Sequence, residues 1–304
     1  MERQIPDIGG EKAAGSGEAT LEVWQQGGKW FSYDGHAIFS RMAGQGEPLV
    51  LLHGFPTSSW DWNRIWPMLL RSNNVLAVDM LGFGFSDKPR EHEYSIDDQA
   101  DLMQGLLEGL GLKSVHILAH DYGCSVAQEL LAREQEGALP FQIASVCFLN
   151  GALFPEVHNP LLIQRLLGGP LGGLISRGLT RRSFERSFMK LFGSRSTPGR
   201  QELDDFWQLI TYNNGRGILH HLIQFMEDRR CHRHRWVSAL QNASQPMRLI
   251  SGIADPVSGT VMVHRYKEMI HDADVVQLRN VGHYPHFESP WEVFSAYREF
   301  RKRF

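Results

Sequence analysis

The chain has 304 residues, of which 42% are hydrophobic and 21% charged, with a formal net charge of −3. Such a composition suits one large globular domain or a domain carrying a sizeable insertion. It lacks the strongly basic balance of a nucleic-acid binder, and no window approaches the ~20 apolar residues that a membrane helix needs.

Residues 1–20, rich in Gly, Ala and Glu, read as a mobile tail. No basic-then-apolar signal opens the chain. The three cysteines, Cys124, Cys147 and Cys231, are too few and too odd in number for a disulfide framework. Together these features lead to the expectation of a cytoplasmic protein without an integral membrane segment.

Lys29–Tyr33 and His36–Arg41 flank Asp34-Gly35, a strong hairpin signal. Pro48–Leu52 reads as a buried strand running into His53-Gly54-Phe55-Pro56, and Val75–Asp79 as another running into Met80-Leu81-Gly82-Phe83-Gly84. Ser95–Gly111 has helical spacing. Val115–Ala119 is a strand, followed by His120-Asp121-Tyr122-Gly123 and a helix over Cys124–Arg133. Ile143–Leu149 is the next strand. From 151 to 240 strand signals vanish and the chain becomes helix-like and basic. They return at Met247–Gly252 and Ala273–Leu278, before a last amphipathic helix from Pro290. Strands alternating with helices predict a mostly parallel central sheet flanked by helices. The expected organisation is a core of 21–150 and 241–304 with a helical cap, 151–240, inserted after the sixth strand. Ligands of such sheets bind beyond the carboxyl ends of the strands, where Phe55, Asp121, Asp255 and His283 all fall.

The most informative segment runs from Val115 to Cys124. A buried strand stops, one polar residue is presented, and small residues let a helix start at once, the setting of a nucleophile elbow. Ala119 stands where glycine is usual, and Gly123 permits helix and strand to approach. The residue presented is Asp121, not serine. A serine displacing a group from saturated carbon would leave an ether that water does not readily cleave. A carboxylate leaves an ester on itself, which water can hydrolyse. An aspartate nucleophile therefore points to epoxide opening or carbon–halogen cleavage. Asp is also a favoured helix N-cap, and that competing role for Asp121 is decided by its companions.

The backbone N–H groups of Phe55 and Tyr122 are placed to form an oxyanion hole for the second step, and the Phe55–Pro56 bond is a candidate for cis. His283, after a strand and a glycine, is the expected base for the hydrolytic water, with His286 as a decoy. Asp255 follows the Met247–Gly252 strand and is expected to orient His283; an Asp-Pro turn is its plainer role. The alternative acid position holds Asn150, which is neutral and cannot substitute. Tyr212, Trp207, His53 and Tyr284 are assigned to the substrate pocket, Tyr212 as the proton donor an epoxide would need; His220 and Trp236 read as packing.

These segments resemble the epoxide hydrolase and haloalkane dehalogenase branch of the α/β-hydrolase superfamily, from about Lys29 to the C-terminus. The match includes the loop Asp79-Met80-Leu81-Gly82-Phe83-Gly84-Phe85-Ser86-Asp87. Gly54–Ser59, Gly82–Pro89 and Val126–Leu131, with Arg235-Trp236-Val237 and Phe154-Pro155-Glu156, are similar in wording to mesoderm-specific transcript proteins. The resemblance implies an α/β-hydrolase fold and a triad of Asp121, Asp255 and His283. Dehalogenases of this branch typically place Trp after the nucleophile and often Asn where Phe55 stands, and both departures weigh against haloalkane chemistry. Epoxide hydrolases use cap tyrosines, of which 151–240 has only Tyr212. The expected function is thus an epoxide hydrolase on a small, apolar molecule. The alternatives are a haloalkane or haloacid dehalogenase, or a non-catalytic binding or signalling protein on the same fold.

No cofactor or metal is expected. Cys231, His232 and His234 lack zinc spacing, and the glycines of 168–173 form no phosphate loop. Arg229–Arg235 reads as a solvated face of the cap. The cations at the C-terminus suit a helix end, and nothing in the sequence sets the oligomeric state.

Overall fold

The computed structural model describes residues 20–304, so the tail read over residues 1–20 lies, but for Thr20, outside the described residues. Thr20 instead N-caps a short helix, Leu21–Gln26, that the sequence analysis did not foresee: its hydroxyl accepts from Val23 N at 3.3 Å. Six residues are too few to be helical on their own. Trp24 holds them by burying its ring between Trp60 and Trp66, with centroids 5.6 and 5.0 Å away.

Eight strands form one sheet: β1 (Lys29–Tyr33), β2 (His36–Gly44), β3 (Glu47–Leu52), β4 (Asn73–Val78), β5 (Ser114–His120), β6 (Gln142–Leu149), β7 (Met247–Gly252) and β8 (Val275–Leu278). Their order is β1-β2-β4-β3-β5-β6-β7-β8, antiparallel at the β1–β2 and β2–β4 pairs and parallel elsewhere. Asp34 and Gly35 supply the two positive-φ residues of the first hairpin turn, as their identity predicted. The central strands β3, β5 and β6 are nearly continuous apolar runs because helices cover both faces of the sheet. Every regular element between β6 and β7 is helical among the described residues. The last of these, Arg233–Gln241, lies along the helix Tyr122–Gln135 that follows β5. Glu129 ties the two together, accepting from Trp236 Nε1 at 2.8 Å and pairing with Arg235 and Arg133.

Gly123 shows how closely that helix meets the sheet. A β-carbon there would sit 2.4 Å from the Leu52 carbonyl oxygen. Backbone cannot yield as a side-chain tip does, so Gly123→Ala is expected to destabilise the fold by about 2 kcal/mol or more. Chemical denaturation measures this, and a midpoint equal to wild type would contradict the packing.

Candidate active site

Between β5 and the helix Tyr122–Gln135 there is a single residue, Asp121, with φ 43° and ψ −102°. A non-glycine residue held there is strained by roughly 1–3 kcal/mol, and such strain persists only where the surroundings impose it. Here they do: Gly123 N donates to the His53 carbonyl at 2.9 Å, and Asp121 N to the Leu149 carbonyl at 3.3 Å. The competing role as a helix cap does not apply, since the Asp121 carboxylate makes no capping bond to the helix. Its Oδ2 accepts instead from Phe55 N at 3.2 Å, beside a cis Phe55–Pro56 bond.

His283 lies with Nε2 3.9 Å from Asp121 Oδ2, a charge contact longer than a hydrogen bond. On the other side its Nδ1 is 2.8 Å from Asp255 Oδ2. Asp255 is fully engaged, accepting also from Val257 N at 2.8 Å, Ser258 Oγ at 2.7 Å and Asn150 Nδ2 at 2.9 Å. Asn150, set aside on sequence because it lacks charge, therefore has a part to play. It spans β6 and β7 by exchanging hydrogen bonds with Gly252 O and N at 3.0 and 2.7 Å, and so fixes the carboxylate that holds the imidazole.

Burial alone would raise the Asp121 carboxyl, but the neighbouring His283 and Arg229 charges outweigh it and hold it well below the usual range. Burial likewise would lower His283; the charges of Asp255 and Asp121 reverse this and push it up to about 10. Asp255 is lowered despite its burial, chiefly by His283. The resting site is thus two carboxylates facing two cations.

The second cation overturns an expectation. Arg229, read as part of a solvated basic face, is 1% exposed. It projects from the helix Phe225–Cys231 onto the elbow, its Nη2 donating to the Asp121 carbonyl at 2.8 Å and lying 3.4 Å from Oδ1. Nε donates to Ser125 Oγ at 2.7 Å, and the guanidinium stacks 4.4 Å over the Phe225 ring. The rest of the run does meet solvent, Arg230 and Arg233 pairing with Glu227 and Glu156. Composition alone could not separate one inward arginine from its neighbours. Its place four residues after the apolar Phe225, on the same face of one helix, was the available signal.

A cavity of about 60 Å³ abuts the site, with Phe55 and His283 in its wall. Leu167, Phe184, Phe188 and Ile210 make the facing side apolar, and Gln164 and Ser187 are its few polar contributors. Asp121 sits just behind this wall, 4% exposed. None of the four residues assigned to the pocket lines it. Tyr212 packs edge-on against Phe85 at 5.3 Å and beneath Lys88 Nζ at 5.2 Å. Trp207 lies behind Phe184, with centroids 5.6 Å apart. His53 is consumed by the backbone, Nδ1 on Gly54 O at 2.9 Å and Nε2 on Met80 N at 3.1 Å. Tyr284 stacks on Phe192 at 5.1 Å, its hydroxyl 3.5 Å from Phe55 O. Tyr122 directs its ring between Phe83 and Phe225, at 5.1 and 5.0 Å, leaving its backbone N–H at the elbow.

One grouping among the described residues brings possible metal donors together: Asp61, His120 and His286, all buried, with donor atoms within 4.8 Å of one another. Burial raises the Asp61 carboxyl well above normal, which favours its neutral form and makes it a poor ligand. His120 donates from Nε2 to the His283 carbonyl at 2.8 Å, so the group backs the imidazole from behind.

Fold and site together define an α/β-hydrolase, and the alpha/beta hydrolase family model matches residues 49–297. The chain belongs to that family. It is 42% identical to the mesoderm-specific transcript protein of Mus musculus over 296 residues, 93% of this chain and 88% of that protein. Among solved structures it is similar to the haloalkane dehalogenase DbeA of Bradyrhizobium elkani, with a TM-score of 0.77 at 20% identity, covering 91% of this chain and 99% of that one. The epoxide hydrolase CorEH superposes with a TM-score of 0.75 at 20% identity, over 91% and 98% of the two chains. At such identities the structural likeness speaks for the fold. No helix among the described residues is long and apolar enough to cross a membrane.

Proposed function

We propose that this hydrolase acts by displacement at saturated carbon, with Asp121 as nucleophile and an alkyl ester on Asp121 as the intermediate. The carrying observation is a carboxylate at a strained elbow that makes no helix-capping bond and faces an imidazole on a carboxylate. Residues 151–240 act as the cap over the site, and their apolar side chains select a small, apolar substrate. In the first step an Asp121 oxygen forms a bond to carbon and the leaving atom departs with its electron pair. In the second, His283 takes a proton from water, the hydroxide adds to the Asp121 carbonyl, and Phe55 N and Tyr122 N hold the oxyanion. Collapse releases the alcohol and restores the Asp121 carboxylate and the His283 cation.

An epoxide is the first reading of the substrate. Loss of the Asp121 charge on esterification weakens the hold on the His283 proton. The proton that His283 must shed before acting as a base is the one an alkoxide needs. Carbon–halogen cleavage is the second reading, favoured by the lack of a phenol on the cavity wall.

A single turnover in heavy-oxygen water, with enzyme in excess over butylene oxide or n-butyl chloride, tests the proposal. The heavy isotope is expected in the peptide carrying Asp121, and ordinary oxygen in the first product. Heavy oxygen in that first product with none in the peptide would mean direct attack by water. No product from either class of probe, with binding retained in Asp121→Asn, would identify a binding protein on a hydrolase fold.

A further inference from the structure

Arg229 carries more donors than the described residues satisfy. Nη2 and Nε are used by Asp121 and Ser125, yet Nη1 is buried without a partner among the described residues. A buried, unpaired guanidinium N–H costs free energy unless an acceptor reaches it, and none of the described residues supplies one. A second orphan is nearby. His158 follows the turn Pro155–Val157, against which the helix Phe225–Cys231 packs, and its Nε2 is buried and unpartnered. The next residue anchors this segment to the Asp255 loop through Asn159 N to Val257 O at 3.0 Å. His158 therefore sits between the element bearing Arg229 and the loop bearing Asp255.

We propose that Arg229, assisted by His158, is the leaving-group partner of the reaction: it holds the Asp121 carboxylate before displacement and receives the departing anion on Nη1 during it. The inference rests on the aspartate-nucleophile reading and names the chemistry its substrate must have. Before reaction Asp121 and Asp255 balance His283 and Arg229. As the Asp121–carbon bond forms, Asp121 becomes a neutral ester and Arg229 loses its counter-ion. In the same step the carbon–leaving-atom bond breaks and the electron pair leaves with that atom. The negative charge moves from one side of the guanidinium's reach to the other, and the sum over the site is unchanged. A permanently anionic substrate would upset this balance, so the fitting class is neutral molecules with an oxygen or halogen leaving atom. A departing oxygen takes up the proton His283 sheds; a halide leaves it to solvent. Arginine does not itself give up a proton at these pH values, so its contribution is charge and hydrogen bonding.

For the halides the experiment uses full-length His283→Gln protein, in which the ester is not hydrolysed, and follows alkylation of Asp121 by intact mass with n-butyl chloride and n-butyl iodide. Butylene oxide, whose oxygen needs the His283 proton, is followed in protein that keeps His283, by single-turnover labelling of the Asp121 peptide in heavy-oxygen water. Adding Arg229→Met is expected to slow alkylation by chloride on the order of 10²-fold, the range for loss of one preorganised donor. Iodide, which needs little help, slows much less. A purely structural arginine would slow both halides alike. Arg229→Lys keeps the charge but not the fork, and His158→Phe leaves Arg229 in place; both are expected to shift the chloride-to-iodide ratio in the same direction. They stand in if the methionine variant does not fold. An unchanged ratio in these variants overturns the inference and leaves the aspartate mechanism intact. No halide adduct and no epoxide-dependent label on Asp121, with Arg229 present, overturns the mechanism itself. Epoxide-dependent label on Asp121 in protein that keeps His283, slowed by Arg229→Met, with no adduct from either halide, assigns the leaving atom as oxygen; the reverse pattern assigns it as halogen.

Discussion

In His283→Gln enzyme, an ester on Asp121 is expected to accumulate to one per chain while steady-state turnover falls by about 10³–10⁴-fold, in the upper range for loss of a general base. The two steps use His283 differently. Attack on carbon that expels a halide needs only an ionised Asp121, and Arg229 still lies 3.4 Å from that carboxylate without the imidazole. Hydrolysis of the ester needs a base within reach of water, and His286, the sequence-level decoy, is on the far side of His120, their rings 4.6 Å apart. Intact mass after mixing with a reactive probe reads the outcome; turnover within tenfold of wild type would leave His283 without its role.

The same imidazole sets a pH dependence. In the folded enzyme His283 is pushed up to about 10, above the ~6.5 of an unfolded histidine. A raised pKa means stability that is fully present below pH ~6.5 and lost as pH climbs through the folded value. Wild type is therefore expected to lose stability between about pH 6.5 and 10 relative to His283→Gln, as denaturation at several pH values will show. In the ester form the Asp121 charge is gone and only Asp255 still holds the proton. Hydrolysis of the ester in wild type should then gain its neutral base at a lower pH than the free enzyme's titration.

Asp121→Ala is expected to abolish activity, by on the order of 10⁴-fold or more, and to form no adduct with any probe. It has a structural effect as well. The carboxylate is the counter-ion of a buried arginine, and removing one partner of a buried pair costs ~3–5 kcal/mol. Activity loss in the alanine variant thus mixes chemistry with folding. Asp121→Asn also removes the charge, but its amide oxygen can still accept from Phe55 N or Arg229, so it loses less structure than alanine while the group no longer attacks carbon. Equal inactivity in the two variants, with stability falling more in alanine, is the expected pattern. Residual turnover in Asp121→Asn near the wild-type rate would remove the nucleophile from the mechanism.

The local geometry around these residues was legible in the sequence because short-range chemistry imposes it. Asp34-Gly35 can form a tight hairpin turn whatever surrounds it. A buried strand ending in Ala119-His120-Asp121, with Gly123 two residues on, leaves the chain few options but a sharp bend into a helix. Asp255 and His283 followed from position after strands, since a parallel sheet delivers its strand ends to one edge. Sequence by itself thus determined the sheet, the bend, and which two carboxylates and imidazole meet there.

Tertiary packing decided what faces them. Arg229 reaches Asp121 across 108 positions of sequence, and only the docking of its helix distinguishes it from the exposed arginines beside it. Asn150 contributes through a bond to Gly252 that exists only once β6 and β7 are side by side. Tyr212, chosen for its hydroxyl, turned to Phe85 because side-chain direction on an irregular helical stretch follows from backbone angles such as those of Asn213 and Asn214, both at positive φ. Hydrogen bonds between neighbours in sequence are written into residue identity. The orientation of a packed helix is set by the summed contacts of its whole face, and no single residue announces it.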